Sequence, residues 1–213
     1  MNEKLYNLGF YICEIEDTPK YLNGISNKLI SLSGCLCTHE PQIFLCHGWK
    51  PNGDNAEYME KLGLTSKQYF DYSNEVQNVF ENGRYFIDGR FSNEEDAKYF
   101  YCKYFNSQQY ILVSFATEYE YYAALTDHDS FKQSKQLVTM KEKQILGCDI
   151  IGFDIDSFHS FLCNSLQKRF KNISFSEYGL IDSDFLTVKE MCKSIQGIGE
   201  PVDWIPVIVF KQL

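Results

Sequence analysis

Long apolar runs are missing from this sequence. The longest, WIPVIVF at 204–210, is far shorter than the roughly 20 apolar residues a membrane-spanning helix needs. The opening MNEKLYNLGF lacks a cationic start followed by an apolar stretch, so it does not read as a secretory signal, and a cytoplasmic location is expected. Base is in short supply: 20 Lys/Arg stand against 29 Asp/Glu, a net charge of −9. An acidic surface repels phosphate, so nucleic acid is a poor candidate ligand. Neither GxGxxG, GxxxxGK[ST], HExxH nor GxSxG occurs, which removes the motif-based case for dinucleotide, nucleotide, zinc-protease and serine-hydrolase chemistry. Low-complexity tracts and repeats of fixed period are also absent, and with 44% apolar residues the chain can bury a core rather than stay disordered.

Cysteine, by contrast, is plentiful. The eight are Cys13, Cys35, Cys37, Cys46, Cys102, Cys148, Cys163 and Cys192, mostly in apolar or strand-like contexts. In a reducing compartment such residues behave as small hydrophobes, which disfavours a disulfide framework. The acidity is uneven, since residues 51–130 carry 14 Asp/Glu against 6 Lys/Arg. That distribution suits a basic protein partner, although a solvated surface is the plainer reading.

Periodicity predicts strands at 5–16, 28–38, 43–49, 84–91 and 109–115, with 117–126 as a possible further strand. Thr65 followed by Gln68 is a capping box for a helix over 65–82 whose apolar positions are Tyr69, Tyr72, Val76, Val79 and Phe80. Ser92 with Glu95 opens another helix through about 105. Residues 146–155 read as a strand, Asp156 or Ser157 as a cap, and 157–170 as a helix with Phe158, Leu162, Leu166 and Phe170 on one stripe. Asp184 caps a helix over 184–196, and 204–210 is a final strand. The expected fold is α+β or mixed α/β: one domain, a largely antiparallel or mixed sheet, and about four helices. A weak boundary falls near 127–145, before a C-terminal βαβαβ-like part. LGFYICEIED (8–17) and LGCDIIGFDID (146–156) are loosely alike and read as two similar strands rather than a duplication.

Three groups of residues could carry chemistry. Asp154 and Asp156 precede His159, with Cys163 four residues further on; a helix would bring His159 and Cys163 into contact. Cys163 would then lie in an apolar stripe, where burial makes a thiol inert, so His159 reads as structural. Cys35, Cys37 and His39 share one face of an extended segment. Alternate strand residues are about 7 Å apart, so zinc would need one or two of them plus Cys46 or His47 from across a hairpin. Asp127, His128 and Asp129 form an acidic triplet that suits a solvated turn better than a metal site. No catalytic residue, cofactor or metal is therefore expected. The EYEYY run offers contact area with polar tips: Glu118, Tyr119, Glu120, Tyr121 and Tyr122, with Asp127 and Asp129 nearby, are the candidate partner-binding residues.

The strings LGCDIIGFDIDSFHSFLCNSLQKRF, SEYGLID and GEPVDWIPV, over about 146–208, resemble the C-terminal part of bacterial immunity proteins encoded beside polymorphic or contact-dependent toxins. The resemblance implies a small cytoplasmic protein that binds and neutralises one cognate toxin without catalysis of its own, and it assigns no functional residue. The alternative is a small intracellular enzyme or metal-binding protein using His159 with Cys163, or the Cys35, Cys37, Cys46 and His47 group.

Overall fold

A computed structural model describes residues 4–41, 56–125, 131, 137–138, 143–154 and 157–212. Among them the strands are β1 Leu5–Glu14, β2 Glu16–Asp17, β3 Lys28–Leu29, β4 His39–Glu40, β5 Tyr110–Glu118, β6 Leu137–Val138, β7 Gln144–Asp154, β8 Ser157–Ser160 and β9 Trp204–Lys211. The α-helices are α1 Ala56–Leu62, α2 Ser66–Glu81, α3 Glu94–Phe100, α4 Tyr119–Leu125 and α5 Phe185–Ser194. The main sheet is antiparallel throughout, in the order β4-β1-β5-β9-β7-β8, with β6 also pairing β1. This is the expected α+β class with an antiparallel sheet. None of the described helices is long and apolar enough to cross a membrane.

The sheet contains the same unit twice. In the first, β1 is followed by a tight hairpin at 84–92, then α3 and β5; in the second, β7 leads to a hairpin at 174–182, then α5 and β9. Phe10 and Phe91 exchange both backbone hydrogen bonds, at 3.0 and 2.9 Å, and Cys148 and Ile181 do the same at 2.9 and 2.7 Å. Each hairpin turns on a left-handed glycine, Gly89 (φ 87°) or Gly179 (φ 73°). Each helix has an Asx N-cap: Asn93 accepts from Asp96 N, and Asp184 from Thr187 N. Phe115 of β5 pairs with Val209 of β9, flanked by Ser114↔Phe210 and Ala116↔Ile208. Gly9 pairs with Phe115 and Gly147 with Val209, so a pseudo-twofold axis runs through the Phe115–Val209 pair. The two similar strands are thus the leading strands of a duplicated unit, against the sequence expectation. Insertions of unequal length, with α1 and α2 in the first unit and β8 in the second, erase any fixed period.

Bulges at Gly9 and Gly147 set the faces. They shift the alternation so that Leu8 and Tyr11 share one face, as do Leu146 and Ile151. On that face they join Val113, Phe115, Val207 and Val209 in one cluster. On the other face α2 and α3 cover Phe10, Ile12 and Leu112, while α5 covers Cys148, Ile150 and Ile208. In α2 the predicted Tyr69, Tyr72, Val76 and Val79 are buried beneath the Thr65–Gln68 capping box, but Phe80 stays exposed.

Several predicted elements differ. Residues 157–170 are not a helix: Ser157–Ser160 is a strand paired with β7, and turns lead to a 3-10 segment at Leu166–Arg169. The free edge of β7 needs backbone partners, and 157–160 supplies them with Phe158 and Ser160 inward. Successive turns then bury Leu162 and Leu166 without a helix, which is why spacing by four misled. Residues 119–125 form α4, not a strand. Most of 28–38 is turn, with only Lys28–Leu29 in β3. Residues 84–91 form the tight hairpin rather than a regular strand. The strand expected at 43–49 and the cap at Asp156 lie outside the described residues.

Candidate functional site

The densest set of titratable groups sits on the sheet face that α4 packs against, where β4, β1 and the first hairpin meet. Cross-strand register places Cys13 opposite His39, and Cys37 lies in the turn that leads into β4. One ligand atom from each of Cys13, Cys37 and His39 lies within 4.8 Å of the others. The Cys37 thiol points at Glu14 O at 3.0 Å. The His39 ring stacks on Tyr11 with centroids 4.3 Å apart, its Nε2 is 2.7 Å from Ser31 O, and its Nδ1 is 3.4 Å from Asp88 O. The Asp88 carboxylate accepts from Tyr11 OH at 3.2 Å and from Arg90 Nε at 3.0 Å, while Arg90 also donates to Leu8 O at 2.8 Å.

Every member is sealed, with Cys37 (3%) and Asp88 (4%) the most exposed of the six. Burial holds the His39 imidazole neutral, pushing its pKa below the ordinary value. Burial, and then the neighbouring Cys37, raise the Cys13 thiol well above its usual range. Burial and the Asp88 charge raise Tyr11 likewise. Neutral thiols closed to solvent are poor nucleophiles, so the chemistry this arrangement favours is ligation rather than attack on a substrate.

The other sequence candidates are scattered. Cys35 is exposed in the 33–36 turn, apart from the cluster. Cys46, His47, Asp127, His128, Asp129 and Asp156 lie outside the described residues. Asp154 is exposed at the end of β7, and His159 is half-buried on β8 opposite Gly152. Cys163 is half-buried in a turn with its Sγ 3.2 Å from Ser33 Oγ, so the expected helical His159–Cys163 pairing is replaced by a strand and a turn. Glu118 accepts from Lys189 at 2.8 and 3.0 Å. Tyr119 and Glu120 are exposed and Tyr121 is half-buried. Tyr122 corrects the expectation: it is 2% exposed, stacked on Tyr6, with its hydroxyl donating to Phe131 O, and cannot anchor a partner. Cys13, Tyr11, Asp88 and Arg90 were missed. The available signal was the turn-forming DGR (88–90) between aromatic residues, which places charge in a tight hairpin.

Open surface lies elsewhere. Between α2 and the π-helical turn Tyr101–Phe105 is a cleft of about 430 Å³ bordered by Gln68, Asp71, Asn74 and Glu75. Glu75 gathers Lys103 Nζ at 2.7 Å and the hydroxyls of Tyr99 and Tyr104 at 3.0 Å each. Phe70, Phe80 and Tyr99 are exposed in the same helical layer.

A second buried acid lies in the other unit. Asp149 accepts from Ile150 N at 2.7 Å and Ser160 Oγ at 3.0 Å, and burial pushes its pKa up to about 7. An unfolded aspartate ionises near pH 3.9. Between those values the unfolded chain has released a proton that the folded chain keeps, so stability falls as pH rises through this window and levels off above it. Asp149→Asn keeps the acceptor and removes the ionisation. Denaturant unfolding at pH 5 and pH 8 should show the variant losing less stability than wild type, with a gain of roughly 1–3 kcal/mol at the higher pH. Equal pH dependence in both proteins would contradict this. Glu40, raised by burial to about 8 despite Lys61, leaves a residual fall of the same sign.

Comparisons with protein-family models, curated proteins and solved structures return no match.

Proposed function

We propose that this chain acts by binding: it is an immunity protein that occupies a cognate basic toxin and carries out no catalysis of its own. The observation that carries this reading is the division between buried and open groups. The clustered Cys13, Cys37, His39 and Asp88 are sealed, whereas the open cleft is bordered by Asp71, by Glu75 with its partner Lys103, by amides and by the half-buried Tyr104, with Phe70, Phe80 and Tyr99 exposed in the same helical layer. Aromatic area beside carboxylates suits a cationic protein surface. The acidity of 51–130 and the resemblance over 146–208 support the same reading. Tyr119 and Glu120, exposed at the start of α4, form a separate candidate patch, since α4 packs on the sheet face opposite α2. Glu118 is a weaker contributor because Lys189 neutralises it.

The test is first whether a toxin gene lies beside the gene for this chain, whose absence would remove the immunity reading, and then the association rate with that toxin's domain at low and high salt. The rate should fall by roughly tenfold or more as salt rises, and by several-fold in Asp71→Lys and Glu120→Lys, with smaller effects on dissociation. A rate indifferent to salt and to both reversals would remove the electrostatic account. No binding to that domain would remove the immunity reading.

A further inference from the structure

We infer that Cys13, Cys37 and His39 form a zinc-binding site. Three separate features of the chain converge there: β1 contributes Cys13, the turn before β4 contributes Cys37, and β4 contributes His39 directly opposite Cys13. The extended-chain objection to a Cys37–His39 site is met, because the ligand needed from across a strand pair is Cys13. Thiolate and imidazole ligands around tetrahedral zinc lie about 3.3–3.8 Å apart, given bonds of about 2.0–2.3 Å. Ligand atoms within 4.8 Å of one another reach that spacing with side-chain adjustment and no change of strand register.

The surroundings match what such a site requires. A ligating imidazole turns one nitrogen to the metal and donates from the other to a backbone carbonyl or carboxylate. Nε2 lies 2.7 Å from Ser31 O and Nδ1 3.4 Å from Asp88 O, so the nitrogen that turns to the metal gives up one carbonyl contact and the other keeps its own as the orienting partner. Stacking on Tyr11 fixes the ring plane. Charge balances as well. Zinc displaces one proton from each thiol, and the two protons leave to solvent. Two thiolates, one neutral imidazole and one divalent cation then sum to zero, the charge a buried site tolerates best. A water or Glu14 O, 3.0 Å from Cys37 Sγ, can take the fourth position. Gly34 and Cys35, the exposed residues of the 33–36 turn, are the open chain nearest to Cys37 in sequence. The site would tie β1 to β4 and is independent of the inhibitor reading.

The experiment uses reduced, metal-free full-length chain titrated with cobalt(II) and then zinc. One equivalent of cobalt should produce a thiolate-to-cobalt charge-transfer band that zinc abolishes. Cys13→Ser and His39→Gln should lose the band, and Cys35→Ser should keep it. In wild type, in denaturant just high enough for the metal-free chain to expose Cys13 and Cys37 to iodoacetamide, zinc should shield both while Cys35 stays reactive, a readout that needs no variant to fold. Absence of the band in wild type, an unchanged band in Cys13→Ser, or equal alkylation with and without zinc would overturn the site. Oxidation of Cys13 to Cys37 with no metal uptake would overturn it in favour of a disulfide pair.

Discussion

Replacing Gly9 or Gly147 by alanine should each destabilise the protein by roughly 2–5 kcal/mol, the sum of backbone strain and overpacking. Both glycines have φ of +145°, a conformation that residues with a Cβ rarely adopt. Space is lacking too. A Cβ at Gly9 would lie 2.5 Å from Arg90 Cγ and Cδ and 3.0 Å from Phe91 O, and one at Gly147 would lie 2.7 Å from Leu180 Cβ and 3.0 Å from Ile181 O. Neither neighbour can withdraw, because Arg90 is fully buried and Leu180 is set by the hairpin paired to β7. Gly83 and Gly197 provide the control. Their φ values are 64° and 70°, and a Cβ there meets nothing within 4 Å, so alanine should cost only about 1–2 kcal/mol. Denaturant unfolding of the four variants checks the ranking. If Gly9→Ala and Gly147→Ala cost no more than the controls, the bulges are not what seats the hairpins on the strands.

The matched contacts of Gly9 and Gly147 also show what could be read from sequence and what could not. Apolar runs located β1, β5, β7 and β9, and capping residues located α2 and α5, because those signals are local. The duplication was hidden. Its common core consists of a bulge glycine, a turn glycine and an Asx cap, and insertions of different length separate them. The strand at 157–160 was hidden because its reason is the unpaired edge of β7, a tertiary demand that outweighs the spacing of four in Phe158, Leu162, Leu166 and Phe170. Likewise Cys37 and His39 stood out as sequence neighbours. Cys13, 24 residues before Cys37, joins them only through the register of β1 against β4. Arg90 and Asp88 were passed over because burial of a charged pair cannot be read from local pattern.

That pair carries the other large effect. Asp88→Ala should cost roughly 3–5 kcal/mol, the usual consequence of removing one partner from a buried ion pair. The Asp88 carboxylate accepts from Arg90 Nε at 3.0 Å and from Tyr11 OH at 3.2 Å, both deeply buried. Its loss takes away the carboxylate that accepts from the Nε of a guanidinium 0% exposed, an interaction that the rings of Phe131 and Phe86, 3.9 and 4.5 Å from the Arg90 Cζ, offset only in part. Arg90→Met alone should cost less. It removes the donor to Leu8 O but leaves a carboxylate that still accepts from the Tyr11 hydroxyl. Combining the two changes removes both charges, so the double variant should be more stable than the sum of the single losses predicts, by about 1–3 kcal/mol. Equilibrium unfolding of the three variants at one pH measures that coupling. Strict additivity, or a cost for Asp88→Ala below about 1 kcal/mol, would mean that water reaches Arg90 and that the hairpin is held to β1 by its backbone hydrogen bonds and apolar packing alone.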